Sequence, residues 1–202
     1  MFVDLVDSTK ISTSISPKEL PNVIKGFSQE VTFVIEYYGG HVLKFVGDEV
    51  LAYFLIKEYN KISHKTINSG VKCAFALFST IEKSLNPILE AYNLLKLGLH
   101  IGIDYGKNNV VLYGSDKRRS HIDLIGSSIN LAAKMESISG KNKIVIGEQI
   151  FTKLNSRSRE NFKKIIDSNR WNYYYSHIVY GKKSSFYSVY ESLQQSISGK
   201  NY

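Results

Sequence analysis

Asp4 and Asp48 are the side chains of this sequence best suited to chemistry. Each sits at the end of a short apolar run, Phe2-Val3 before Asp4 and Val42-Leu43-Lys44-Phe45-Val46-Gly47 before Asp48, so each is expected at a strand end. Two carboxylates brought to one point repel unless protons or hard cations intervene, and carboxylate oxygens suit Mg²⁺ or Mn²⁺. Asp7, Ser8 and Thr9 follow closely, and a turn there offers amides and hydroxyls to phosphate oxygens. Aspartate is also an ordinary turn former, so spacing alone leaves both roles open for Asp4 and Asp48.

Bringing the two together is the task of the surrounding elements. Residues 16–19 have capping-box spacing, and Val23, Ile24, Phe27, Val31, Val34, Ile35 and Tyr38 then repeat with helical period; Pro21 is an alternative first turn. Gly39-Gly40 ends that helix, and residues 42–46 and 50–56 make a hairpin with Gly47-Asp48-Glu49 at its tip. A second long helix is expected over 66–84, with Pro87 breaking it or opening a new turn. Strands follow over 97–103 and 109–113, then a helix over 127–138, a strand over 143–146 and a short helix over 148–154. Residues 171–190 are aromatic and β-rich around Gly181-Lys182-Lys183. This order predicts an α+β protein: a ferredoxin-like βαββαβ split-βαβ sheet, helices on one face, with a C-terminal β-rich extension. In such a sheet the first strand lies beside the hairpin, which carries Asp4 toward Asp48.

At 202 residues, one domain spanning 1–202 is expected. Such a chain buries roughly 70% of its unfolded surface, enough for a core without staples, and Cys73 alone allows no internal disulfide. No apolar run approaches the roughly 20 residues that span a bilayer, and no basic-then-apolar leader opens the sequence, so a cytoplasmic protein with no membrane partner is expected. The 26 Lys+Arg against 18 Asp+Glu give a net charge of +8, which fits nucleic acid, an acidic membrane or a phosphate tail, or simply a Lys-rich solvated surface. The densest basic cluster, Asp116-Lys117-Arg118-Arg119, is too short for a nucleic-acid arm, and no nucleic-acid partner is expected.

Three ordered blocks carry a family resemblance: Phe2-Val3-Asp4-Leu5-Val6-Asp7-Ser8-Thr9, Tyr38-Gly39-Gly40-His41-Val42-Leu43-Lys44-Phe45-Val46-Gly47-Asp48-Glu49, and Ile122-Asp123-Leu124-Ile125-Gly126-Ser127-Ser128-Ile129-Asn130-Leu131-Ala132-Ala133-Lys134-Met135-Glu136. Together they resemble the class III nucleotidyl cyclases, the adenylate and guanylate cyclase catalytic domain. The resemblance implies that Asp4, Asp48 and the backbone carbonyl of Leu5 hold two divalent cations, Mg²⁺ or Mn²⁺. It implies attack of the ribose 3′-hydroxyl on the α-phosphorus of a nucleoside triphosphate, with pyrophosphate leaving. Asn130 would orient the ribose, and position 134 would neutralise charge on the α-phosphate. Lys134 stands where the family pattern has Arg, keeping the charge but losing the two-pronged fork. Lys182 or Lys183 would contact the triphosphate.

Lys44 and Asp123 match the family's two base-reading positions. Lys donates to a ring nitrogen while Asp accepts from the neighbouring amino group, a pattern that fits adenine and makes ATP the favoured substrate. Cytosine shows the same edge, so CTP stays open; uracil fits this edge less well unless other residues read it; and the compact aromatic ending is similar to the stand-alone pyrimidine cyclases of bacterial antiphage systems, which makes a CTP or UTP cyclase the alternative. An inactive nucleotide-binding module of the same family is a further alternative. Active sites of the family lie between two catalytic domains, so a homodimer with sites at its interface is implied.

Overall fold

The computed structural model describes residues 1–56, 62–114, 120–175 and 185–193. Strand β1 (Phe2–Leu5) leads into helices α1 (Ser8–Ser14) and α2 (Leu20–Tyr37), and β2 (His41–Val46) and β3 (Glu49–Tyr53) form the hairpin. Helix α3 (Ile62–Thr80) passes through a π-helical turn, Ile81–Leu85, into α4 (Asn86–Ala91), with Pro87 in the opening turn of α4. There follow β4 (Leu99–Ile103), β5 (Asn109–Tyr113), β6 (His121–Ile125), α5 (Ser127–Ser137), β7 (Lys143–Gly147), α6 (Glu148–Phe151) and α7 (Ser156–Arg159). The chain closes with β8 (Phe162–Lys164), β9 (Tyr174–Tyr175), β10 (Ser185–Phe186) and β11 (Val189–Ser192).

Seven strands form one sheet in the order β2-β3-β1-β4-β7-β11-β8, while β5-β6 and β9-β10 are separate two-stranded ribbons. Neighbours in the large sheet are antiparallel except β4 and β7. The first four positions reproduce the expected split-βαβ order. The C-terminal extension is less separate than expected, because β11 and β8 complete the same sheet beside β7.

Helices lie on both faces of the sheet, which corrects the one-sided expectation, and strand alternation shows why. Val3, Leu5, Val50, Ala52 and Ile101 point to one side and pack with Phe27, Val31, Val71 and Phe75 of α2 and α3. Phe2 and Leu51 point to the other side, against Ala132 of α5, while Met135 of α5 packs with Val145, Trp171, Tyr187 and Val189. Glycine at 102 makes that second layer possible. A Cβ there would lie 2.1 Å from the Ala132 carbonyl oxygen and 2.3 Å from the Glu136 nitrogen.

The capping box forms: Ser16 donates to Glu19 Oε2 at 2.6 Å, and the Glu19 N–H donates to Ser16 Oγ at 3.3 Å. It closes the turn before α2 rather than opening the helix, whose first turn holds Pro21. Cys73 is buried among α3 neighbours, and burial pushes its thiol up to about 12, so it is chemically quiet. Among the described residues, no helix is long and apolar enough to cross a membrane.

Candidate active site

The second face of the sheet carries the polar residues. Register sets Asp4 of β1 opposite His100 of β4, and Gly47, at φ 65°, turns the hairpin so that Asp48 sits at its tip. A groove of about 690 Å³ is lined by Asp4, Leu5, Asp7, Ser8, Thr9, His100 and Glu136, among others. Burial raises the Asp4 carboxyl to about 6, and the charge of Asp48 adds to the rise. Asp48 keeps one buried carboxylate oxygen, Oδ2, without a hydrogen-bond partner among the described residues, and His100 Nδ1 is in the same position. Burial likewise lifts Glu49, with Asp48 adding and Lys44 opposing. Glu136 rises to about 7, first from burial and then from Asp4, Glu49 and Asp48.

Such a centre is short of positive charge. No group of three or more His, Cys, Asp or Glu side chains among the described residues is assembled to hold an ion unaided. Two carboxylates, one of them with an orphaned oxygen, and Leu5 lining the same groove as Asp4 make a hard, incomplete donor set. That set fits Mg²⁺ or Mn²⁺, which keep waters and complete their shell with substrate phosphate. Beside it, Asp7 adopts a left-handed conformation (φ 57°) at the start of α1, and its side chain makes no capping bond. The first residues of α1, Ser8 and Thr9, line the groove that holds Asp4.

A second cavity, of about 320 Å³, lies toward β2 and β6 and is lined by Phe2, Lys44, Glu49, Leu51, Asp123 and Asn130, among others. Here Lys44 Nζ donates to Asp123 Oδ2 at 2.6 Å, and that contact holds the Asp123 carboxyl below the usual carboxylate range. Position 126 must be small where α5 begins, because a Cβ there would meet Asn108 Oδ1 at 2.3 Å. Asn108 in turn accepts from Ser128 at 2.8 Å, which ties the start of the β5-β6 ribbon to the helix that presents Asn130.

The expected site residues are thus divided. Asp4, Leu5, Asp7, Ser8 and Thr9 line one cavity; Lys44, Asp123 and Asn130 line the other; and the two share no lining residue. Lys134 is exposed and lines neither, and Lys182 lies outside the described residues. Glu136, His100 and Glu49 are neighbours of the acidic centre that the sequence reading did not single out. Glu136 had a legible signal: four residues after the buried Ala132, it is an acid on the inward face of a helix. His100 had none, since its place depends on the β1–β4 register.

A split-βαβ sheet, extended to seven strands and carrying an acidic groove and a separate ion-paired cavity, defines an α+β domain with two polar cavities on one sheet face. Residues 1–171 match the adenylate and guanylate cyclase catalytic domain, and the chain belongs to that family. A cytidylate cyclase of Escherichia coli is 28% identical over 164 residues, covering 76% of this chain and 34% of the relative. A uridylate cyclase of Rhodovulum sp. (strain MB263) is 26% identical over 147 residues, covering 68% of this chain and 57% of the relative. The chain therefore spans from about a third to somewhat over half the length of these relatives. Among solved structures, the guanylyl cyclase Cya2 superposes with a TM-score of 0.75 at 20% identity, over 95% of this chain and 88% of that one, a likeness of fold.

Proposed function

We propose that this domain converts CTP to 3′,5′-cyclic CMP and pyrophosphate, as a homodimer that takes two divalent cations at Asp4, Asp48 and the Leu5 carbonyl. The observation that carries the base choice is the 2.6 Å Lys44–Asp123 pair on the wall of the Asn130 cavity. A ring-nitrogen acceptor beside an amino donor satisfies both members of that pair, and adenine and cytosine present it. Uracil and guanine present a carbonyl beside an N–H, which mismatches Lys44 and costs about 1 to 3 kcal/mol, or about 5- to 150-fold. The relatives named cytidylate and uridylate cyclase support a pyrimidine, and the Lys44–Asp123 pair supports cytosine over uracil. The favoured base accordingly moves from adenine to cytosine.

Bound cations supply charge neutralisation of the triphosphate and a more acidic 3′-hydroxyl. The chain's own residues do the rest. Asp4 and Asp48 anchor the reacting end, and the α1 amides and the Ser8 and Thr9 hydroxyls take phosphate oxygens. Lys44 and Asp123 hold the base, and Asn130 orients the ribose so that the hydroxyl lies in line with the α-phosphorus. Asp4, Ser8 and Thr9 line one cavity of the chain and Lys44, Asp123 and Asn130 another, which supports a dimer in which a second copy brings its Asn130 cavity to the first copy's acidic groove. Exposed Lys134 is then available to reach the partner's substrate.

The test is incubation with CTP, UTP, ATP and GTP separately in Mn²⁺, with mass spectrometry of the products. Cyclic CMP is expected to dominate and to disappear in Asp4→Ala and Asp48→Ala. Dominant cyclic AMP or cyclic UMP overturns the base assignment, and undiminished turnover in either variant overturns the metal assignment.

A further inference from the structure

The Lys44–Asp123 cavity holds a second carboxylate. Glu49 opens β3 directly after the turn that carries Asp48, and register sets it opposite Val46 of β2, with Leu51 opposite Lys44. Alternation therefore puts Glu49, Leu51, Lys44 and Val46 on one side of the hairpin, and all four line the cavity together with Asp123 and Asn130. Glu49 and Lys44 are diagonal neighbours across the two strands, roughly 7 to 8 Å apart in such a pairing and within reach of long side chains.

The charges of this cavity do not balance. Lys44 is the one cation among its described lining residues, and Nζ already donates to Asp123 Oδ2 at 2.6 Å. The half-buried Glu49 carboxylate has neither a hydrogen bond nor an ion pair among the described residues. An ionised carboxylate only accepts, so a ligand that completes the cavity brings donors, and more of them than Asp123 alone consumes. The amino group of cytosine carries two N–H bonds. With the ring nitrogen on Lys44 and one N–H on Asp123, the other is left for Glu49. Uracil turns a carbonyl oxygen to the same place, acceptor against acceptor.

We propose that Glu49 is a specificity-determining residue of the base site: its carboxylate accepts the second N–H of the exocyclic amino group and rejects bases that carry a carbonyl there. This rests on the cytidylate cyclase reading above and divides recognition of the base edge among three side chains rather than two. The amino group of adenine has the same two N–H bonds, so Glu49 selects by the kind of edge and not by the size of the ring.

The test compares the native full chain with Glu49→Gln and Glu49→Asp. It measures kcat/KM for CTP and UTP in Mn²⁺, and calorimetric binding of 3′-deoxy-CTP and 3′-deoxy-UTP, which lack the attacking hydroxyl and report binding without turnover. Glutamine keeps the shape of glutamate but adds an N–H donor able to face a carbonyl. In Glu49→Gln the preference for CTP over UTP is expected to fall at least about fivefold, in kcat/KM and in binding of the deoxy analogues alike. Glu49→Asp keeps the carboxylate and is expected to stay more selective for CTP than the Gln variant. An Asp variant no more selective than the Gln variant, or an unchanged preference in a Gln variant that melts like the native chain, overturns the proposal alone. If Glu49 serves the neighbouring Asp48 instead, the Gln variant loses CTP and UTP turnover by the same factor and needs more Mn²⁺ for its half-maximal rate, which also overturns it. A native chain that prefers UTP overturns the cytosine reading and the Glu49 assignment with it. One that forms no cyclic nucleotide overturns the activity, and the deoxy analogues still decide Glu49.

Discussion

Lys44 and Asp123 are separated by 79 residues in the chain yet meet at 2.6 Å, part-buried, in the site where a base is proposed to lie. An entering base has to replace each partner's contact with an equivalent one, and the pair therefore acts as a filter. Asp123→Ala is expected to lower kcat/KM for CTP by roughly 10- to 100-fold while narrowing the gap to UTP, because a lost partner costs about 1 to 3 kcal/mol. Steady-state kinetics with both nucleotides checks it. Unchanged discrimination would sink the filter.

The acidic residues make a second prediction at this scale. The folded-state pKa values of Asp4, Glu136 and Asp104 are raised to about 6, 7 and 7, each first by burial. The native state therefore holds their protons more tightly than the unfolded state does. Their contribution to stability is present below the unfolded values near 4 and is lost as pH rises through about 7. Thermal melts in chelator are expected to show Tm falling between pH 5 and about 8, and Mn²⁺ is expected to restore part of it at the upper end. A metal-free Tm that rises over that window refutes the sign.

At the scale of elements, Gly102 is the position on which the second layer depends. In Gly102→Ala the new methyl meets three backbone atoms of α5 rather than a flexible side chain. The helix must lift, at about 3 kcal/mol, lowering Tm by roughly 6 to 12 °C. Activity falls with it, since Asn130 moves with the helix. A crystal structure or melt of the variant that leaves α5 in place contradicts this.

Periodicity made most elements legible. The α2 stripe, the hairpin with Asp48 at its tip, and β5 over 109–113 stand where apolar spacing places them. Contacts remote in sequence were not legible. The side of the sheet on which α5 lies follows from Gly102 facing Ala132, and β6 follows from pairing with β5. Helix α1 is only seven residues with one buried side chain, Ile11, so no amphipathic period announces it. At the site, motif resemblance supplied Asp4, Asp48, Lys44, Asp123 and Asn130. It did not supply Glu136 or His100, whose roles arise from charge and register around Asp4.

For the whole molecule, the proposed dimer with sites built from two chains can be tested by mixing. Asp48→Ala lacks the anchoring half-site and Asn130→Ala the orienting half-site, so each alone is expected to be inactive. Equal mixtures put both defects into one of the two sites of each heterodimer and leave the other intact, which returns about a quarter of native activity. A mixture no more active than its components excludes sites built from two chains.

For that proposed dimer the β5-β6 ribbon is the candidate contact surface: Val110, Leu112 and Ile122 are 70%, 61% and 57% exposed, an apolar face on the ribbon. Leu112→Asp is expected to shift the domain toward monomer in sedimentation and to lower turnover in proportion. A dimer unaffected by that change would place the interface elsewhere.

The chain's single tryptophan, Trp171, is 1% exposed, donates from Nε1 to the Tyr187 carbonyl at 2.7 Å, and packs against Met135 of α5. The domain thus contains its own optical gauge. One dry indole, behind the helix that links the two cavities, reports by the colour of its emission whether that helix is seated, without any label.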